Sequence, residues 1–270
     1  MAVDFPVKDS YTIQDLVDLV AVLRSPEGCP LDREQTHESI RSGFLEETHE
    51  AIEAINNHDV AGLREELGDV LMQIVLHAQM AKEDGQFDLN DVITELCRKL
   101  IVRHPHVFGD VQAKDTAAVL KTWDSVKRAT KGEHTTQTDL LRSVPRSLPA
   151  LMRAEKVQGR ARRVGFDWPD VSGAFAATES ELAELKEAMA SGDPDAVEEE
   201  LGDLLFSVVN VSRFAGPDAE QALTRSTDKF ITRFEVVEQL AASRNLDMSA
   251  MSIDELDELW RQAKAQLKHS

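Results

Sequence analysis

The sequence predicts an almost entirely α-helical protein that contains two copies of one helical domain. Apolar residues recur every three or four positions through most of the chain, and no segment shows the strict alternation typical of a half-buried strand. Glycine accounts for only 13 of 270 residues, which favours long helices. The same four short motifs occur in the same order in each half. We therefore expect tandem domains at 1–131 and 146–270, joined by a polar linker at 132–145.

The predicted helices follow one another with short, well-marked connections. In the first half they cover about 11–23, 45–55, 60–84, 89–103 and 115–131. In the second half they cover about 148–162, 172–189, 195–215, 218–243 and 253–267. Loops rich in glycine and proline are predicted at 24–32 and 164–171. Asp88 is a predicted N-cap, and Pro105 ends the helix that Asp88 begins.

Two predicted helices at the centre of the first half carry pairs of carboxylates. Glu47 and Glu50 are three residues apart and therefore lie on one face of their helix. Glu66 and Asp69 have the same spacing on the next helix, after a turn at 56–59. Several apolar residues are expected to pack these helices into an antiparallel hairpin: Leu45, Ile52, Ile55, Leu63, Leu67, Val70 and Leu71. Four facing carboxylates would repel strongly unless a cation lay among them. Hard oxygen ligands without His or Cys favour Mg²⁺, with Mn²⁺ as the alternative.

The second half repeats this acidic pattern. Its four matching carboxylates are Glu181, Glu184, Glu200 and Asp203. Glu66 follows Glu50 at an interval of 16 positions, and Glu200 follows Glu184 at the same interval. The strings EELGDVLMQIV and EELGDLLFSVV, which contain the second pair of each half, are nearly identical. A single acidic helix face is usually just solvated surface, but an ordered repeat of this kind indicates a duplicated site.

Basic and aromatic residues also recur in pairs one helical turn apart. These pairs are Lys99 and Arg103, Lys229 and Arg233, Trp123 and Lys127, and Trp260 and Lys264. A Lys and an Arg on one face suit a polyphosphate, and a Trp next to a Lys offers a surface on which a base can stack. The alternative interpretations are a solvated helix edge for the basic pairs and ordinary packing for the tryptophans.

Composition limits the classes of partner. The formal net charge of −19 argues against a broad nucleic-acid or anionic-membrane surface, although a bound cation would still admit an anionic small molecule. The two cysteines are far apart, and neither a signal peptide nor an 18-residue apolar run is present. We therefore expect a cytoplasmic protein that binds neither nucleic acid nor membrane.

The combined motifs resemble the MazG family of nucleoside triphosphate pyrophosphohydrolases over nearly the whole chain. The resemblance rests on the spaced acidic pairs and on the strings CPLDREQT, RHPHVFG and VGFDWP. It implies a helical bundle completed by homodimerisation, and hydrolysis of (deoxy)nucleoside triphosphates to monophosphate and pyrophosphate in nucleotide-pool control or house-cleaning. It further implies that the C-terminal carboxylates bind the metal, and that four residues contact the nucleotide: Lys229, Arg233, Trp260 and Lys264.

One position departs from the family pattern. The first Glu of EExxE is Glu46 in the first half, whereas Ser180 takes that place in the second half. All eight presumed ligands are nevertheless present, so the sequence leaves open which half is active. In the expected mechanism Glu200 is required for turnover, and Glu199, or Glu65 in the first half, orients or deprotonates the attacking water.

Three alternatives remain at this stage. Glu34 with His37 and Glu46 with His49 form ExxH pairs like those of di-iron bundles, but the second half has no copies. A non-catalytic nucleotide-binding regulatory protein would show the same helices and charges. The third alternative is a narrower substrate preference within the family. The sequence does not specify the base, because a Trp stacks on any base.

Overall fold

The computed structural model describes residues 5–109, 119 and 136–268, and within them it contains twelve α-helices, one short 3₁₀ helix and no strand. The expected all-α fold is therefore confirmed. The chain divides into two compact units, Met1–Gly132 and Glu133–Ser270. None of the described helices is long and apolar enough to span a lipid bilayer.

The first unit has six described helices. They are α1 (Ile13–Arg24), α2 (Pro30–Glu34), α3 (Arg41–Asn56), α4 (Val60–Glu83), α5 (Leu89–Arg103) and α6 (Pro105–Phe108). Helices α3 and α4 form the predicted hairpin, and α1 packs on α4. The buried side chains of this unit come mainly from α4, and Val20 on α1 packs in the same apolar cluster.

The second unit also has six described α-helices, and it contains the 3₁₀ helix Met248–Ala250. They are α7 (Gln137–Arg142), α8 (Ala150–Arg162), α9 (Val171–Ser191), α10 (Pro194–Ala215), α11 (Ala219–Ser243) and α12 (Ile253–Gln266). Helices α9 and α10 form the second hairpin, while α11 packs against α12. The largest buried cluster of this unit lies between α11 and α12 and contains Val237 and Leu259.

Short polar turns close both hairpins. In the first, the Asp59 side chain accepts hydrogen bonds from the backbone N–H groups of Ala61 and Gly62, which caps α4. In the second, Gly192 ends α9 at a φ of 72°, a left-handed conformation that favours glycine. Asp193 then caps α10, and Pro194 occupies its first turn. These turns hold the paired carboxylates of consecutive helices opposite one another.

Not all of the apolar side chains expected to pack the first hairpin together are buried. Leu45, Ile55 and Leu67 are each more than half exposed, at 56%, 54% and 55%. The small side chains of Ala51 and Ala54 are buried on α3 instead. Small residues let two helices approach closely, so the larger apolar side chains face outward. This part of the sequence prediction is wrong.

Two segments predicted to be irregular contain helix. Pro30–Glu34 forms α2, which begins inside the loop expected at 24–32, because a proline at the first helical position has its φ already fixed. Gln137–Arg142 forms α7 within the expected linker, where the Arg160 guanidinium donates hydrogen bonds to the Leu140 carbonyl and the Ser143 hydroxyl. The helix predicted at 115–131, with Trp123 and Lys127, lies outside the described residues apart from position 119.

Candidate active site

The first hairpin brings three carboxylates together. Oxygen atoms of Glu47 on α3 and of Glu66 and Asp69 on α4 all lie within 4.8 Å of one another. All three side chains are half-buried. Glu50, the fourth predicted ligand, is exposed and is not part of this close group.

Electrostatics show that Glu50 nevertheless belongs to the same charged neighbourhood. Partial burial and the charges of Glu50 and Asp69 raise the pKa of Glu66 above its ordinary value. Partial burial and the charge of Asp69, followed by that of Glu50, likewise raise the pKa of Glu47. The cluster is therefore a concentration of negative charge that a cation would relieve.

The second hairpin forms a matching cluster with a different membership. Oxygen atoms of Glu181 and Glu184 on α9 and of Glu200 on α10 lie within 4.8 Å of one another. Partial burial and the charges of Glu184 and Glu181 raise the pKa of Glu200. Asp203 is exposed and outside this close group, yet its charge also contributes to the raised pKa of Glu181 and Glu200.

Ser180 explains part of this difference between the halves. Its hydroxyl donates a hydrogen bond of 2.8 Å to Oε1 of Glu184, one helical turn away. The corresponding residue of the first half, Glu46, can only add negative charge, and its charge contributes to the raised pKa of Glu47. The departure from the EExxE pattern thus exchanges a charge for a hydrogen-bond donor to a neighbouring cluster residue. The sequence identified the substitution but not this contact.

The carboxylate clusters fit a hard divalent cation. Each offers three carboxylate side chains from two consecutive helices, and these are the hard oxygen donors that such a cation prefers. Because the oxygen atoms of each cluster lie within 4.8 Å of one another, the three side chains would hold one such ion. Within the described residues the metal-compatible groups contain carboxylates alone. His37 instead contacts His77, with 2.7 Å between their Nδ1 atoms, so the di-iron interpretation gains no support.

The predicted phosphate-binding cations of the first unit lie on α5. Lys99 and Arg103 line a shallow cavity of about 370 Å³, together with Arg98, which sequence reasoning did not select. Arg98 directly precedes Lys99, so the run of basic residues was the signal that could have identified it.

In the second unit two of the four predicted nucleotide-binding residues are in contact with each other. The guanidinium carbon of Arg233 lies 5.8 Å from the centre of the Trp260 ring. Phe230 also packs on Trp260, with 5.0 Å between ring centres, so this tryptophan contributes to the α11–α12 contact. Lys229 is exposed and Lys264 is half-buried on the same two helices. Among the described residues, no hydrogen bond or ion pair connects these cations to the carboxylate cluster.

Glu199, the predicted water-orienting acid, lies on α10 beside Glu200 and is exposed to solvent. Its charge contributes to the raised pKa of Glu200. It is therefore close to the cluster without being one of its three converging side chains.

Comparisons with known proteins identify the domain family to which both hairpins belong. The MazG nucleotide pyrophosphohydrolase domain matches residues 35–108 and 172–237, which contain the two hairpins. A Thermotoga maritima protein, "Nucleoside triphosphate pyrophosphohydrolase/pyrophosphatase MazG", is 46% identical over 251 residues, covering 93% of this chain and 95% of the relative. The Escherichia coli K12 "Nucleoside triphosphate pyrophosphohydrolase" is 44% identical over 262 residues, covering 94% and 97%.

A more distant relative shows how far the similarity extends. The Mycobacterium tuberculosis "Nucleoside triphosphate pyrophosphohydrolase" is 37% identical over 163 residues, covering 58% of this chain and 48% of the relative. The domain occurs twice, and two relatives match almost end to end. The chain therefore belongs to the MazG nucleotide pyrophosphohydrolase family.

Proposed function

We propose that this protein hydrolyses nucleoside triphosphates to nucleoside monophosphate and pyrophosphate by water attack at the α-phosphorus, in a reaction that requires Mg²⁺ or Mn²⁺. The observation that carries the proposal is the three-carboxylate cluster, built twice on equivalent hairpins. The names of the two long-matching relatives support the same reaction class.

The clusters supply the ligands. In the second unit the ion would be held by Glu181, Glu184 and Glu200. Asp203 would assist them, since its charge contributes to the raised pKa of Glu200. Glu47, Glu66 and Asp69, assisted by Glu50, would do so in the first. When bound, the ion neutralises the phosphates and polarises the reacting water.

The remaining roles fall to residues around the second cluster. Glu199 would orient the attacking water and accept its proton, since it neighbours the cluster while staying outside the converging group. Lys229 and Arg233 would offset the charge that develops on the departing pyrophosphate, which is the main electrostatic demand of phosphoryl-type transfer. Trp260 and Lys264 would contact the base and a phosphate.

A second copy of the chain would complete the fold as a homodimer. Leu201, Leu205 and Phe206 on α10 are nearly half exposed, at 46%, 48% and 44%. Between them, Gly202 has no atom within 4 Å of the position that a Cβ would occupy. A glycine inside a helix costs about 1 kcal/mol relative to alanine, and packing within the unit does not account for it. Close approach of a partner helix would account for both observations.

The physiological setting follows from the chemistry. Conversion of triphosphates to monophosphates suits nucleotide-pool control or house-cleaning in the cytoplasm, without nucleic-acid partners. The second candidate is a non-catalytic, nucleotide-binding regulatory role for the protein. The aromatic–cation contact between Trp260 and Arg233 would suit nucleotide binding with or without turnover.

Product analysis tests the proposal. Purified protein is incubated with ATP or dGTP and Mg²⁺, and nucleotides are separated by chromatography. Monophosphate and pyrophosphate, both lost on chelation, are expected, and Glu66→Gln and Glu200→Gln then assign the activity to a unit. Diphosphate with inorganic phosphate would contradict the proposal, because it would show cleavage between the β- and γ-phosphates. Binding without turnover would favour the regulatory role.

A further inference from the structure

A cavity of about 430 Å³ in the first unit differs in chemistry from the carboxylate clusters. Its apolar walls come from Phe44, Ile74, Ala78, Phe87 and Val92. Its remaining lining residues are His37, Arg41 and His77. Within the described part of the chain no carboxylate lines it, although the protein as a whole carries a formal charge of −19.

The two imidazoles in this lining share a hydrogen bond in an unusual geometry. The Nδ1 atoms of His37 and His77 are 2.7 Å apart, the ring planes differ by 3°, and the ring centres are 5.0 Å apart. The centre-to-centre distance exceeds the Nδ1–Nδ1 distance by about the width of one ring. The rings therefore meet edge to edge in nearly one plane, with the two nitrogens pointing at each other.

This geometry fixes the chemistry of the pair. One Nδ1 must carry the proton and the other must accept it, so the two rings cannot both be protonated at Nδ1. In the neutral pair, one Nε2 then carries a hydrogen and the other is an acceptor. Burial and the neighbouring His37 lower the pKa of His77, which is consistent with a pair that resists a second positive charge.

Comparison of the halves shows that these polar groups are not needed to build a hairpin. Glu47 and Glu181 are 134 residues apart, and that interval pairs Arg41 with Phe175 and His77 with Val211. The equivalents of two basic lining residues are thus apolar in the second unit. The second unit therefore lacks basic residues at these two positions.

We propose that this cavity is a separate binding site for a small aromatic anion. The flat ring would lie between the apolar walls formed by Phe44 and Phe87, which are partly exposed in the structure. The anionic group would accept hydrogen bonds from the exposed Arg41 guanidinium and from an imidazole N–H of the His37–His77 pair. Apolar walls with a few convergent polar groups at one edge, in a volume of this size, are typical of small-molecule sites.

The proposal can be tested on the full-length protein with three simple probes. Benzoate has both a ring and a charge, acetate has only the charge, and benzyl alcohol has only the ring. With ¹⁵N-labelled histidine, the imidazole signals of His37 and His77 report binding directly. Saturable shifts are expected with benzoate, together with binding at least tenfold weaker for acetate and benzyl alcohol.

Matched variants separate this site from general anion binding. Arg41→Gln should weaken benzoate binding about tenfold or more, because it removes a charge-assisted hydrogen bond from an exposed position that the fold tolerates. Arg153→Gln changes a cation lining an apolar cavity of the second unit and should have no effect on benzoate binding. Circular dichroism checks that both variants remain helical.

The outcomes decide the question. Absence of histidine shifts at high benzoate concentration, equal shifts with acetate, or equal weakening by both variants would overturn the proposal. If AMP shifts the same two histidines at lower concentration than benzoate, the occupant is a nucleotide. If benzoate is the tighter ligand, it is an aromatic carboxylate.

Discussion

Substitution of Glu200 by glutamine should have opposite effects on metal binding and on the stability of the metal-free protein. The side chain is one of three converging carboxylates, and partial burial with the charges of Glu184 and Glu181 raises its pKa. A raised pKa in the folded state means that the ionised form is disfavoured there. Glutamine removes that repulsion, so the metal-free variant should unfold at a higher temperature at pH 7.

The sign of the pH dependence follows from the same pKa shift. As the pH falls towards the raised pKa of Glu200, the folded native protein takes up a proton before the unfolded chain does and gains stability. The difference in stability between the variant and the native protein should therefore shrink on acidification.

The metal-dependent effect can be given a magnitude. Mg²⁺ at one hundred times its Kd should raise the unfolding midpoint of a domain of this size by on the order of 10 °C. Loss of a charged ligand should weaken binding at least as much as loss of an outer-shell partner, by about 100-fold. At the same Mg²⁺ concentration the increase for the Glu200→Gln protein would then fall to about 1 to 2 °C.

The assay is differential scanning calorimetry with and without Mg²⁺. It is carried out in a Glu66→Gln background, so that only the second cluster retains its carboxylates. Glu238→Gln, an exposed acid on α11, is the control and should leave the Mg²⁺ response intact. An undiminished response in the Glu200→Gln protein, or a metal-free midpoint below that of the parent, would refute the reasoning.

Three further predictions concern other contacts. Ser180→Ala removes the hydrogen bond to Glu184 and should raise the Mg²⁺ concentration for half-maximal hydrolysis a few-fold. Ser180→Thr keeps a hydroxyl and should restore the native value. An unchanged Mg²⁺ titration in Ser180→Ala would contradict this role. Leu205→Glu places a charge on the exposed face of α10 and should yield monomers by light scattering, whereas an intact dimer would place the interface elsewhere. The pKa of His77 is lowered, so the folded protein resists its protonation and loses stability as the pH falls below about 6.5. In urea unfolding, the native protein should therefore lose more stability between pH 7.5 and 5.5 than His77→Phe; parallel losses would rule out this effect.

Much of the fold follows from local sequence rules. The helix from Leu89 to Arg103 begins after its Asp88 cap and ends before Pro105, as the capping and proline rules predict. The turns of both hairpins also lie where polar and glycine residues indicate them. The spacing of three on consecutive helices brings three of the four predicted carboxylates of each hairpin within 4.8 Å of one another.

The sequence could not reveal how the clusters differ. The motif is symmetrical, yet Asp69 converges with its neighbours in the first half while Glu184 does so in the second. Such choices depend on side-chain rotation within one helical turn, and in the second half a hydrogen bond from Ser180 fixes Glu184. Spacing alone does not determine rotamers.

The exposed apolar residues show a second limit. Apolar periodicity identifies the side of a helix that avoids water, but it does not distinguish the hairpin partner from another subunit. Leu67 was expected inside the hairpin and is more than half exposed, while Ala51 is buried. The His37–His77 contact joins residues 40 positions apart and leaves no periodic signal.

Hydrolysis in ¹⁸O-labelled water tests the central claim most directly. Native protein is incubated with ATP and Mg²⁺ until only part of the ATP has been hydrolysed. The products are then examined by mass spectrometry. Attack at the α-phosphorus predicts one ¹⁸O atom in AMP and none in pyrophosphate, with no product from the Glu66→Gln/Glu200→Gln double variant. Label in pyrophosphate, or undiminished turnover by the double variant, would contradict the account.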